Sequence, residues 1–87
     1  MASLDDRIAQ LRLALKANDS RRIELKREME IYGAKYSDVY NDDEARKQVV
    51  KRYGNLREQE RQLWIERWEI LDAMSEWNFQ RRYELTA

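Results

Sequence analysis

The chain has 87 residues, with no Pro, two Gly and neither Cys nor His, and its 17 basic residues are balanced by 17 acidic ones. That length allows one domain, residues 1–87, with a small core, and the wealth of Ala, Leu, Glu, Lys, Arg and Gln, which lose least on entering a helix, makes the expected class all-α. Neutrality removes the field that draws a protein to nucleic acid or an anionic membrane, and the missing Cys and His remove disulfides and the usual metal ligands, so no metal or other cofactor is expected.

The start Met1-Ala2-Ser3-Leu4-Asp5-Asp6 has neither the basic segment nor the apolar run of a secretory signal, and no window approaches a membrane span; the expected location is the cytoplasm. Ser3 with Asp6 forms a capping box with a short acid, which opens a helix at Leu4. From there Leu4, Ile8, Leu11, Leu15, Asn18, Arg22, Leu25, Met29, Tyr32 and Tyr36 recur at alternating spacings of four and three, the seam of a heptad repeat. This places a first helix at about residues 4–37. Ser37 to Asp43 gathers turn-forming residues, with Asn41 and Glu44 as the next N-terminal cap, so the chain is expected to reverse at about 38–42. Val49, Tyr53, Leu56, Glu60, Leu63, Arg67, Ile70, Met74, Trp77 and Arg81 then repeat the rhythm, giving a second helix at about 43–84. The result is an antiparallel, coiled-coil-like helical hairpin with arms about 50 to 60 Å long, expected to assemble into an oligomeric bundle.

A turn centred near Val39 puts Leu4 opposite Met74, Ile8 opposite Ile70, Leu15 opposite Leu63, Leu25 opposite Tyr53 and Met29 opposite Val49, with Asn18 meeting Glu60 and Arg22 one layer away. A later turn, shifting the pairing by one heptad, gives equally regular layers. Asn18-Asp19-Ser20, Gly33 and Gly54-Asn55 are the points where a helix could break into a three- or four-helix arrangement. The seam keeps its phase across all three, which favours two continuous helices.

Trp64, Trp68 and Leu71 form a second stripe, offset by one residue from the seam, while Ile65 and Phe79 point elsewhere again. With Trp77 they are the candidate partner-binding residues, because one partner helix cannot cover them all and exposed Trp in a strip is typical of an interface. The plainer alternative is that the rings widen the intramolecular core. Asn18, Arg22, Glu60 and Arg67 interrupt the seam; such a layer penalises wrong registers, and its alternative role is to hold an anion such as a nucleotide through Arg22 and Arg67 at a subunit interface. Tyr32, Tyr36, Tyr40 and Tyr53 gather near the turn as a cap on the core and a second candidate surface, where Gly33 and Gly54 leave room for a ring or a crossing helix. Arg81-Arg82-Tyr83 complements the dipole at the end of the second helix.

The sequence holds no phosphate loop, no nucleophile elbow and no metal-ligand spacing. Asp43-Glu44-Ala45-Arg46-Lys47 resembles the Asp-x-x-Arg-Glu step of the helical chorismate mutases, whose likeness would imply an all-α enzyme holding a dianion with Arg and Lys. Lys47 stands where that pattern has an acid, and Asn18 and the Trp-rich second helix depart from it, so the family is not assigned. The expected function is therefore a non-enzymatic protein–protein interaction module: a small assembly factor, adaptor or inhibitor that acts by self-association, by capturing a foreign protein, or both. By analogy it could be an accessory protein of a phage or mobile element.

Overall fold

A computed structural model of the chain describes residues 3–86, the side chains of 84–86 excepted; Met1 and Ala2 of the start motif lie outside it. Two helices, α1 (Leu4–Asp38) and α2 (Asp43–Thr86), lie antiparallel along each other as a rod of 68 × 19 × 15 Å. The chain is thus an all-α hairpin. No helix among the described residues is long and apolar enough to cross a membrane.

The caps explain the boundaries. The Asp6 N–H donates to Ser3 Oγ at 3.2 Å and the Ser3 N–H donates to the Asp6 carboxylate at 3.3 Å, the reciprocal box read from the sequence. At the far end Val39 leaves the helix with its N–H still bonded to the Lys35 carbonyl at 3.1 Å. The expected cap at Asn41 is corrected to Asp42, whose carboxylate accepts the Ala45 N–H at 3.2 Å and whose carbonyl accepts the Arg46 N–H at 2.8 Å. Arg46 ties the turn down, donating to the Tyr40 carbonyl at 3.2 Å and to Asp43 at 2.8 Å. Both helices run unbroken past Asn18-Asp19-Ser20, Gly33 and Gly54-Asn55.

The seam lies where the heptads put it. Ile8, Asn18 and Leu25 of α1 and Leu56 and Ile70 of α2 are buried, and the seam positions between them are half-buried. The register differs from the one that a turn centred near Val39 sets. Asn18 Nδ2 donates to the Leu63 carbonyl at 2.8 Å, although Leu63 was expected opposite Leu15 and Asn18 opposite Glu60. Arg52 approaches Glu28 at 3.8 Å and Arg81 reaches Asp5 at 3.0 Å, pairings displaced in the same direction. The displacement, two or three residues at Glu28–Arg52 and Asn18–Leu63 and eight at Asp5–Arg81, goes toward the later turn that a one-heptad shift requires: Asp38 stays helical and the cap falls on Asp42, so the reversal comes later in the chain.

So thin a structure leaves much of itself in water. Four apolar side chains, Ile8, Leu25, Leu56 and Ile70, are buried among the described residues. The accessible surface is 7086 Å². A compact folded protein of the same mass exposes about 5,500 Å².

Candidate interaction face

Residues that follow a seam position by one share one side of the hairpin, because each such step turns the same way from the contact line on both helices. On α2 this side carries Val50, Gly54, Trp64, Trp68 and Leu71; on α1 it carries Asp19, Ile23, Lys26 and Gly33. Trp64 is 43% exposed and Trp68 67%, while Leu71 is half-buried. Ile23 and Val50 stand 55% and 53% exposed on the same side. Sequence reading missed both, although the one-residue offset that picked out Trp64 also applies to them.

An open groove of about 950 Å³ runs beside the Trp64 ring toward Met29, Gly33 and Tyr53. Its polar wall is built around Trp64: the Arg22 guanidinium lies 4.2 Å from the ring centroid and that of Arg67 5.6 Å, so both cations sit over an aromatic face. Arg22 Nε donates to Asn18 Oδ1 at 3.0 Å, and its Nη2 pairs with Asp19. Asp19 is also 3.7 Å from Arg67 Nε, a buried atom with no hydrogen-bond partner among the described residues. Asp19 thus joins the two arginines, a role hidden by its reading as part of a capping cluster; its spacing of three from Arg22 was the available signal. Glu60, expected against Asn18, instead lines the groove with Glu30 and Lys26, so the lining carries three basic and three acidic residues. Further along α2, Glu58 accepts from Gln62 at 3.1 Å and Arg61 at 3.2 Å, and these bonds, with the Arg61 charge, hold its carboxyl below the ordinary 4.5.

The other candidates are dispersed. Trp77 belongs to the seam, half-buried, with the Arg7 guanidinium 5.2 Å from its ring centroid, so it is not part of the Trp64–Trp68 side. Ile65 and Phe79 are exposed on the back of α2, away from both seam and groove. Tyr32, Tyr36 and Tyr53 line a smaller cleft with Gly33, Val49 and Val50, and Tyr36 meets Tyr40 edge-to-face at 5.8 Å. Lys35 and Arg52 stand 4.9 and 5.9 Å from the Tyr32 ring, while Tyr40 lies at the turn with Arg46 5.8 Å away. Gly33 and Gly54 do not make room for any ring of the hairpin, since a Cβ at either would meet nothing within 4 Å.

These features define a class by geometry: an all-α antiparallel hairpin with a tryptophan-bearing side that its own fold leaves uncovered. Comparison with protein-family models, curated proteins and solved structures finds no match.

Proposed function

We propose that the chain is a non-enzymatic interaction module that docks its Trp64–Trp68 side against another helical surface, as a small assembly factor, adaptor or inhibitor does. The observation that carries this reading is the exposure of both rings on one side, Trp64 beside an open groove with Arg22 already stacked on it. Trp and Arg are the side chains that most often dominate interface energies, and a contiguous exposed aromatic patch is costly to leave in water. The Asp43–Lys47 step is engaged in the turn, with Arg46 on Asp43 and Tyr40 and Lys47 3.9 Å from Glu44, which supports a capping role over a chorismate-mutase-like one.

The test is the double variant Trp64→Glu/Trp68→Ser. Its circular dichroism should keep the helical amplitude while association, with itself or a partner, is lost. Collapse of the helical signal would put both rings in the hairpin's own core and remove the reading.

A second reading, an anion held by Arg22 and Arg67, draws on Arg67 Nε, which makes no hydrogen bond among the described residues. Against it, Asp19 already stands between the guanidiniums, and Glu30 and Glu60 share the groove. The melting temperature is therefore expected to stay unchanged with millimolar ATP or inorganic phosphate. A rise that grows with ligand concentration would restore the anion site.

A further inference from the structure

We infer that the occupant of this side is a second copy of the chain, reversed about a twofold axis that crosses α2 at Gln59 and α1 near Ile23, so that Trp64 of each copy fills the space over Gly54 of the other. The inference rests on the reading of the Trp64–Trp68 side as an interface and adds its partner and arrangement.

Area is the first argument. The hairpin exposes 7086 Å², roughly 1,500 Å² more than a compact chain of its mass. That excess is spread over the whole rod; a contact on one side of each copy that removed half of it would bury about 1,500 Å², close to the roughly 1,600 Å² of a standard interface. The chain is also neutral overall, so two copies approach without net repulsion.

Shape is the second. A twofold interface presents the same patch from both sides, so the patch must contain both the projection and the hollow. Trp64 and Gly54 lie equally far from Gln59 in opposite directions, and so do Trp68 and Val50. Reversing one α2 on another therefore sets Trp64 against Gly54, where added atoms meet open space, and Trp68 against the exposed Val50. Arg57 of each copy comes to face Arg61 of the other at the centre, where Glu58, 3.2 Å from Arg61, and Glu60 in the same cleft offset the positive charge. On α1, Asn18 reaches the Leu63 carbonyl at 2.8 Å and, on the opposite side of the hairpin, Arg21 reaches Gln59 at 3.3 Å, which together put Gln59 level with Arg21 and Arg22 and so the axis near Ile23. With Ile23 facing its copy, Lys16 falls opposite Glu30 and Lys26 near Asp19, pairs of opposite sign.

The sequence has no Cys, so Ile23→Cys supplies one thiol per chain. A residue on the axis meets its copy within disulfide reach, a Cα separation under about 7 Å. Mild oxidation should link this variant into a dimer of twice the mass much faster than Leu13→Cys or Ile31→Cys, whose exposed positions lie on other sides. Light scattering on the wild type should give twice the 10.7 kDa chain mass. The radius of gyration should be about 21 Å, little above the 19.6 Å of one hairpin, because helices packed side by side lie only about 10 Å apart. Gly54→Leu should return the mass to that of a monomer with helicity intact. A wild type that stays monomeric and helical at every concentration overturns the second copy while leaving the side free for a foreign helix. A dimer that cross-links faster through Leu13→Cys or Ile31→Cys than through Ile23→Cys overturns the arrangement. Loss of helicity in Trp64→Glu/Trp68→Ser overturns instead the interface reading beneath it.

Discussion

Asn18 is the one buried polar side chain of the described core, and both ends of its amide are used: Nδ2 on the Leu63 carbonyl, Oδ1 under Arg22 Nε. Asn18→Ala would leave a void and take from Arg22 an acceptor that solvent reaches poorly, so it should cost about 1 to 2 kcal/mol, read as a lower urea midpoint. Replacing the polar seam residues outright, with buried Asn18 and half-buried Arg22 and Glu60 all changed to Leu, should act in the opposite direction and raise the midpoint, since apolar packing in place of polar groups withdrawn from water is commonly stabilising. The penalty would appear in specificity, as a mixture of registers or oligomers in place of one. If the triple variant also loses stability, the layer contributes binding energy as well as register. That a polar layer exists was legible in the sequence, because it interrupts the heptads. Its partners were not, because Asn18 reaches Leu63 or Glu60 according to where the turn falls, and Asp19 comes to stand between two arginines only once the helices are packed.

At the scale of the helix, the seam, the Ser3–Asp6 box and the continuity of both arms could be read directly, since each is a local or periodic property. The start of α2 could not, because Asn41 and Asp42 are both good caps and the choice between them depends on how Arg46 reaches back to Tyr40. Asp42→Ala should therefore lower stability by about 1 kcal/mol, and Asn41→Ala by much less. Equal losses from the two in thermal melts would return the cap to Asn41. Gly33 offers the converse case. It sits inside α1 with open space where a Cβ would go, so Gly33→Ala should gain about 0.5 to 1 kcal/mol by limiting the unfolded chain and removing a weak helix former. A loss would show that something outside the hairpin packs against that glycine.

For the whole molecule, composition and periodicity announced a rod, and the rod sets the energetics. A hairpin whose helices touch along one line can bury only one stripe of each, and here that amounts to four apolar side chains among the described residues. The gain from so small a core stands against the conformational entropy of ordering two helices of 35 and 44 residues, which leaves the isolated chain marginal. Any partner that binds only the folded hairpin shifts that balance by mass action. If the partner is another copy, the melting temperature must depend on protein concentration: raising it a hundredfold, from about 1 to 100 μM, should lift the midpoint by several degrees as the dimer is populated. Trp64→Glu/Trp68→Ser should melt at one temperature throughout that range, at or somewhat below the low-concentration limit of the wild type, because the proposed contact between copies needs both rings while the hairpin itself loses the Arg22 and Arg67 contacts of Trp64. A concentration-independent wild type would mean that the single seam suffices to hold the rod, and that its aromatic side waits for a different protein.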